Sequence, residues 1–278
     1  MNGDLHCHSL YSDGSTDIET IITTAVKLKL STIAVSDHDT FAQYPEAQKI
    51  ADRENIRLLK ACEISTRDPL TRRRVHILCY LPQDENPLNE LFEITNRSRE
   101  KSIEKSIEVI SKDYPIGYEM LREKRGKYKS VFKQSIIALL MELGYETKIF
   151  GELFNYYFRG ENPKALFPVE YPDVRTAIDT VRSCKGVAVM AHPGVYNSYE
   201  LLENLCKENM IDGIEVMHPR NKEGDFEYLS SLADRYNLIK TGGSDFHGFH
   251  SMTPRPLGSC FTTDREVEKI LEIAEKRK

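Results

Sequence analysis

One pattern repeats along this chain: short apolar, strand-like runs end in histidine or a carboxylate and are followed by helix-like segments. Thr32–Val35 leads into Asp37-His38-Asp39, and Val187–Ala191 leads into His192. Repeated strand–helix units form parallel sheets with right-handed crossovers. About seven such runs favour a closed or nearly closed α/β barrel, which places the polar residues at the carboxyl ends of the strands, where barrel enzymes have their active sites.

The alternation stops in the middle of the chain. From about residue 86 to residue 171 the periodicity is helical, with helices predicted over Asn89–Ser111, Val131–Leu143 and Thr147–Phe158. We therefore expect a barrel domain made of residues 1–82 and 172–278 and a helical insertion domain of residues 83–171. The insertion would follow the fourth strand and lie on the same face as the polar residues.

Composition narrows the class of protein. A net charge of -5 argues against a protein that coats nucleic acid, and no apolar stretch approaches the length of a membrane span. The N-terminus lacks the pattern of a secretory signal, and the six cysteines have no paired spacing. A cytoplasmic protein with free thiols and no membrane partner is expected.

Several polar residues have metal-ligand types and spacing. His6 and His8 lie on one face of a strand, although a chance pair on a surface strand is the alternative. Asp13 is either a ligand or a turn residue. Glu63 ends an apolar run, where an unpaired carboxylate would be costly and a metal ion would remove that cost. His76, taken alone, favours a hydrogen-bonded core histidine.

Taken together, these residues favour a metal site, because seven of the eight histidines follow this pattern and only His250 is assigned no role. Ligands with nitrogen and oxygen donors suit manganese, iron or zinc. Nine candidates fit two or three divalent ions better than one, with Glu63 as a bridge. Such a cationic site favours a phosphate ester. The nine are His6, His8, Asp13, His38, Glu63, His76, His192, Asp245 and His247.

The motifs in order are His6-x-His8, Ser12-Asp13-Gly14, Ser36-Asp37-His38-Asp39-Thr40, Glu63, His76, Ala191-His192-Pro193 and Gly243-Ser244-Asp245-Phe246-His247-Gly248. Together they resemble the PHP (polymerase and histidinol phosphatase) family of metal-dependent phosphoesterases. The resemblance implies a distorted (β/α)7 barrel with a trinuclear site. It assigns His6, His8, Glu63 and Asp245 to one ion, Glu63, His76 and His192 to a second, and Asp13, His38 and His247 to a third.

The insertion resembles that of the branch that removes phosphate from nucleoside 3',5'-bisphosphates or trims short RNA from its 5' end. Where that branch often has Arg-x-His, this chain has Lys133-Gln134-Ser135, so Lys133 and Ser135 are candidate substrate contacts. The basic run from Arg122 to Lys133 is either a solvated segment or a lid that grips substrate. His218 and Arg255 are further candidates for contact with the phosphate.

The expected activity is hydrolysis of phosphate monoesters by a metal-bridging hydroxide, with His218, Asp245 and His247 as the catalytic residues. A nucleotide or the 5' end of short RNA is the expected substrate. Two alternatives stay open at this point: a phosphatase for a small molecule of the histidinol phosphate type, and a metal-binding PHP module without turnover.

Overall fold

The computed structural model describes residues 2–278. The strands are β1 (Asn2–Cys7), β2 (Thr32–Val35), β3 (Arg57–Leu58), β4 (Ala61–Arg67), β5 (Arg74–Tyr80), β6 (Val187–Met190), β7 (Gly213–Met217), β8 (Ile239–Gly242) and β9 (Thr262–Thr263). The helices are α1 (Ile18–Lys27), α2 (Tyr44–Glu54), α3 (Asn86–Ile110), α4 (Tyr118–Arg125), α5 (Lys133–Glu142), α6 (Glu152–Phe158), α7 (Val174–Ser183), α8 (Tyr199–Lys207), α9 (Asp225–Arg235) and α10 (Asp264–Lys276).

The barrel wall consists of two sheets, ordered β3-β2-β1-β9 and β4-β5-β6-β7-β8. Single parallel bridges join them at two seams, one between His38 and Glu63 and one between Cys7 and Phe246. Seven strands, β1, β2 and β4 to β8, thereby surround one interior. This is a distorted (β/α)7 barrel, as predicted, although its wall is not one closed sheet. Both seams lie beside candidate metal ligands, because they involve His38, Glu63 and the neighbours of His6, His8 and Asp245.

The strand that carries His76 runs opposite to the direction predicted. β5 pairs antiparallel with β4 and with β6, whereas β6, β7 and β8 are parallel to one another. The physical reason is the short turn between β4 and β5, which allows only a hairpin and no helical crossover. His76 therefore lies near the beginning of β5, and this end of the strand is at the carboxyl face of the barrel.

The residues between β5 and β6 form helices α3 to α6, one more than predicted. Helix α4 was missed because it buries only Leu121 and Arg125, so its sequence has no apolar period. From Ile103 onwards these helices have an apolar cluster of their own, which includes Ile107, Leu140 and Phe158, whereas the start of α3 packs into a cluster of the barrel through Leu88, Leu91 and Phe92. Between residues 2 and 278, no helix is both long enough and apolar enough to cross a bilayer.

Candidate metal centre and active-site cavity

The nine side chains predicted as metal ligands meet at the carboxyl face of the barrel, and all of them are buried. Strand β1 contributes two, strands β4 and β5 one each, and the remainder lie on loops that follow strands. His192 and Asp245 have positive φ angles of 26° and 48°. Non-glycine residues in this region are uncommon and concentrate at functional sites. The loops are therefore held in conformations that the surrounding contacts must stabilise.

The first group surrounds the two histidines of β1. The Nε2 atoms of His6 and His8 are 3.2 Å apart, and both lie 3.1 Å from Oε2 of Glu63. Oδ1 of Asp245 completes the group at 3.6 Å from His6 and 3.4 Å from His8. Four donor atoms thus face one small volume.

The second group forms around the other oxygen of Glu63. Its Oε1 lies 2.7 Å from Nδ1 of His76 and 2.8 Å from Nε2 of His192. Since Oε1 and Oε2 face different sets of imidazoles, Glu63 would contact two ions if both groups held one.

The third group is centred on Asp13. Its Oδ1 lies 3.1 Å from Nε2 of His247 and 3.9 Å from Nε2 of His38. Nδ1 of His8 is also 3.9 Å away, and Nδ1 of His38 lies 3.3 Å from Oε2 of Glu63. His8 and His38 therefore connect the third group with Glu63.

The donor atoms fit divalent ions. Ligands bound at about 2.1 Å in a tetrahedral arrangement lie about 3.4 Å apart, close to the separations in these groups. Several buried polar atoms also have no hydrogen-bond partner within residues 2–278: Nδ1 of His8, His38 and His192, and Oδ1 of Asp13. Buried polar atoms without partners are rare, and a cation bound beside Asp13 would satisfy its Oδ1.

The pKa shifts of the clustered residues also favour the binding of cations. Burial alone would lower the pKa of His8, but the carboxylates of Asp245 and Glu63 raise it to about 10. Burial would raise the pKa of Glu63, yet the imidazoles of His6, His76 and His38 hold it well below its usual range. A field that stabilises protons on buried imidazoles also stabilises metal cations at the same place.

Glu215 on β7 supports the centre and was not identified from the sequence. Its Oε1 accepts a hydrogen bond from Nδ1 of His6 at 2.9 Å, and its Oε2 accepts one from the backbone N–H of His192 at 2.8 Å. The first bond fixes the tautomer of His6, so that its Nε2 lone pair points into the cluster. The available signal was a carboxylate in the middle of an otherwise apolar run, Gly213–Met217.

We expect Glu215→Gln to weaken metal binding by about 10- to 100-fold, the range for a lost partner behind a ligand. The amide can accept only one of the two hydrogen bonds, and its NH2 group would face a donor. Titration of the metal-free protein with manganese measures the change. Unaltered affinity would show that Glu215 does not orient the ligands. Glu272→Gln, which changes an exposed carboxylate on α10, is the control.

His218 lies behind Asp245. The backbone N–H of Arg220 donates to Nδ1 of His218, so Nε2 carries the proton of the neutral ring and donates to Oδ2 of Asp245 at 3.1 Å. Arg255 pairs with the same oxygen. Burial lowers the pKa of His218. Both residues therefore orient a carboxylate whose other oxygen faces His6 and His8.

The insertion is tied to the barrel by Arg99 on α3. Its guanidinium group donates to Oδ2 of Asp39 at 2.5 Å and lies over the ring of Phe132, 4.5 Å from the centroid. Asp39 in turn accepts the N–H of Ser65 at 2.8 Å. Arg99 is only 7% exposed, although the helix around it is rich in charged residues. Its partner, Asp39, is 60 residues away, so the local sequence pattern gives no indication of the pair.

His250, to which the sequence assigned no role, lies in the interior beside Asp13. It is buried, and its Nδ1 lies 2.7 Å from the backbone oxygen of Asp13. Ser135, predicted to contact substrate, is buried at the start of α5, where its hydroxyl accepts the N–H of Phe132. Ser135 is not among the residues that line the cavity.

A cavity of about 400 Å³ opens from the cluster towards the insertion. Of the basic run, Lys133 lines it, and Lys127 instead pairs with Glu46 at 2.7 Å. Lys129 borders a different groove. Four cationic side chains of the lining have no carboxylate within 4 Å in the part of the chain described, and they are Arg74, Lys133, Arg159 and Arg220.

A barrel with clustered imidazole and carboxylate ligands and a cationic cavity defines a metal-dependent hydrolase for an anionic ester. The family model described as PHP domain matches residues 4–188, two thirds of the chain. The chain therefore belongs to the PHP family, and it is a metal-dependent phosphoesterase.

Individual relatives agree with this family. The phosphoribosyl 1,2-cyclic phosphate 1,2-diphosphodiesterase of Eggerthella lenta is 31% identical over 256 residues, 91% of this chain and 97% of that protein. The 5'-3' exoribonuclease Rnm of Escherichia coli is 28% identical, over 88% of this chain and 84% of its own. The structure of a proposed metal-dependent phosphoesterase from Bifidobacterium adolescentis has a TM-score of 0.87 at 28% identity and covers 98% of this chain and 96% of that one.

Proposed function

We propose that this phosphoesterase removes phosphate from nucleotides that carry a second phosphate, namely a nucleoside 3',5'-bisphosphate or the 5' end of a short RNA. The observation that carries the proposal is the cavity beside the cluster. Its lining includes cations without acidic partners, among them Arg74 and Lys133, and a wall of phenylalanine rings. A simple phosphate monoester would use the cluster but would leave these features unused.

We propose three ions, held by the groups around His6 and His8, around Glu63 Oε1 and around Asp13; manganese, iron and zinc all suit these donors. When bound, divalent ions neutralise charge on a phosphate and supply an activated hydroxide. The chain itself holds the ligands in place. Asp245 and His247 belong to this ligand set, and His218 and Arg255 keep Asp245 oriented.

The second phosphate would lie between Arg74 and Lys133. Burial, together with repulsion from Arg74, lowers the pKa of Lys133 to about 8. A phosphate dianion between the two cations would replace this repulsion by attraction, and charge-assisted hydrogen bonds to phosphate are among the stronger ones in proteins. The cavity therefore favours a substrate with two phosphates over one with a single phosphate.

The aromatic wall favours a base on the substrate. Four phenylalanines line the cavity: Phe132, Phe150, Phe154 and Phe158. Stacking of a base on an aromatic side chain contributes about 1–3 kcal/mol and depends little on which base is present. A phosphorylated ribose without a base, as in the substrate named for the Eggerthella lenta relative, would fill the phosphate positions but not this wall.

The test compares kcat/KM for a nucleoside 3',5'-bisphosphate, the matching monophosphate, a 5'-phosphorylated oligoribonucleotide, a ribose 1,2-cyclic phosphate with a 5-phosphate, and histidinol phosphate. We expect the bisphosphate to exceed the monophosphate by at least about tenfold, or 1.4 kcal/mol. Lys133→Ala should reduce this ratio, and Lys127→Ala should not. Equal rates on the bisphosphate and the monophosphate, or a preference for histidinol phosphate, would contradict the proposal. A preference for the cyclic phosphate would show that the phenylalanine wall does not select substrates with a base.

The pH dependence gives a second check. Lys133 with a pKa of about 8 loses its charge above that pH, so kcat/KM for the bisphosphate should fall by up to about tenfold per pH unit between pH 8 and 9. The monophosphate, which does not need Lys133, should keep its profile. Lys133→Arg stays charged and should abolish this fall. A fall of the same size for both substrates would exclude Lys133 as its cause.

A further inference from the structure

We propose that the hairpin formed by β4 and β5 binds the phosphate backbone of a single-stranded oligoribonucleotide that extends out of the active-site cavity. This inference rests on the nucleotide substrate proposed above and concerns the part of the substrate beyond its first nucleotide. The surface consists of Arg67, Arg72, Arg73 and Arg74 and is called the arginine hairpin below.

The arginine hairpin concentrates positive charge on an acidic protein. Four of the eight residues from 67 to 74 are arginines and one is an acid, Asp68, while the whole chain carries -5. The carboxylate of Asp68 is engaged in the turn, where it accepts the N–H of Leu70 and the hydroxyl of Thr71. The charge of the arginines is therefore not balanced inside the hairpin.

Two of the arginines repel each other within the sheet. Arg67 and Arg74 are directly opposite in the antiparallel pair, an arrangement that is unfavourable for like charges. Both guanidinium groups lie over the ring of Tyr171, 5.4 Å and 5.7 Å from its centroid. Within residues 2–278, no carboxylate pairs with any of the four arginines, and the buried Nε of Arg67 has no hydrogen-bond partner. An external anion would therefore meet guanidinium groups that no carboxylate within residues 2–278 neutralises by direct pairing.

The arginine hairpin leads away from the active-site cavity. Arg74 lines that cavity, whereas Arg67 and Arg72 line a smaller one of about 280 Å³ beside it. Val169 and Tyr171 belong to both linings, so the two cavities adjoin. A strand whose end occupies the first cavity would pass Tyr171 and enter the second.

The chemistry of the second cavity fits a phosphodiester backbone. It offers two guanidinium groups, which bind phosphate oxygens through paired hydrogen bonds, and one aromatic ring. Its lining also contains two acids, Glu170 and Asp173, and the carboxylate of Asp173 accepts the N–H of Arg175 at the start of α7. A mononucleotide reaches Arg74 and Lys133, whereas Arg67 and Arg72 require a longer chain.

The experiment measures binding and turnover as a function of substrate length, with the metal-loaded protein. The binding probe is a 3'-labelled, 5'-phosphorylated hexaribonucleotide with phosphorothioate linkages, checked by gel for integrity. We expect Arg67→Gln/Arg72→Gln to weaken hexamer binding at least tenfold and to reduce the slope of log K against log salt by about 1.4, for two lost contacts to single-stranded phosphates. kcat/KM for the nucleoside bisphosphate should stay within twofold.

Lys29→Gln is the matched control, because Lys29 is also an exposed cation with positive φ, 59° against 60° for Arg72, and lies in the turn between α1 and β2. The proposal is overturned if the double variant binds the hexamer like the wild type, if Lys29→Gln loses as much affinity, or if polyglutamate competes as well as the hexamer. If no substrate is hydrolysed but hexamer binding still depends on Arg67 and Arg72, the proposed function is wrong, whereas the proposed binding surface is supported.

Discussion

Glu63→Gln is expected to remove more than one ion and to lower kcat/KM by about a thousandfold or more. The reason is that Oε1 and Oε2 of Glu63 face different imidazoles, His76 and His192 on one side and His6, His8 and His38 on the other. An amide gives up the charge and offers only one acceptor. Loss of several kcal/mol of charge stabilisation corresponds to this decrease in rate. Elemental analysis of the purified variant counts the ions.

His76→Ala is the comparison for that experiment, because His76 contacts the Oε1 side of Glu63 only. It should remove mainly one ion and leave the others in place. Circular dichroism would verify that both variants are folded. If Glu63→Gln keeps its full metal content, Glu63 is not the bridge, and the arrangement of three ions around it is wrong.

Arg99→Ala is expected to lower the free energy of unfolding by about 3–5 kcal/mol, the cost of removing one partner from a buried ion pair. Arg99 is 7% and Asp39 1% exposed, so the carboxylate would be left without its charged partner in the interior. The contact between Arg99 and the ring of Phe132 would also be lost. Urea unfolding, followed by both fluorescence and circular dichroism, measures the change.

Arg97→Ala provides the control on the same helix, because Arg97 is exposed and its pair with Glu93 lies at the surface. Its expected effect is within about 0.5 kcal/mol. Asp39→Asn combined with Arg99→Ala should recover part of the loss, since the uncompensated charge is then absent. A loss below about 1 kcal/mol for Arg99→Ala would show that the pair does not connect the insertion with the barrel.

Features that depend on short spacings between residues could be predicted from the sequence. The alternation of strands and helices predicted the barrel, and His6-x-His8 predicted two imidazoles on one face of β1. The turn after β4 reversed the expected direction of β5, because a hairpin and a crossover are distinguished by loop geometry and not by the apolar pattern of the strand. The ligand types were visible in the sequence because each is adjacent to an apolar run.

Residues that act through distant partners could not be predicted. Glu215 is 209 residues from His6, and Arg99 is 60 residues from Asp39, so neither pairing leaves a local signal. Lys133 and Lys127 belong to one basic run, but only the fold separates the first, which lines the cavity, from the second, which pairs with Glu46. The position of the arginine hairpin next to the active-site cavity could not be predicted either, because it depends on contacts with Tyr171.

Phosphate release measured against added manganese tests the metal-dependent chemistry most directly. The metal-free protein receives zero to four equivalents of manganese, and the initial rate on a saturating nucleoside 3',5'-bisphosphate is recorded at each step. We predict no release in the presence of chelator, and a rate that rises until about three equivalents are bound and then stays constant. Full release by the metal-free protein, or no release at any equivalent of manganese, iron or zinc, would contradict a phosphoesterase that works through this cluster.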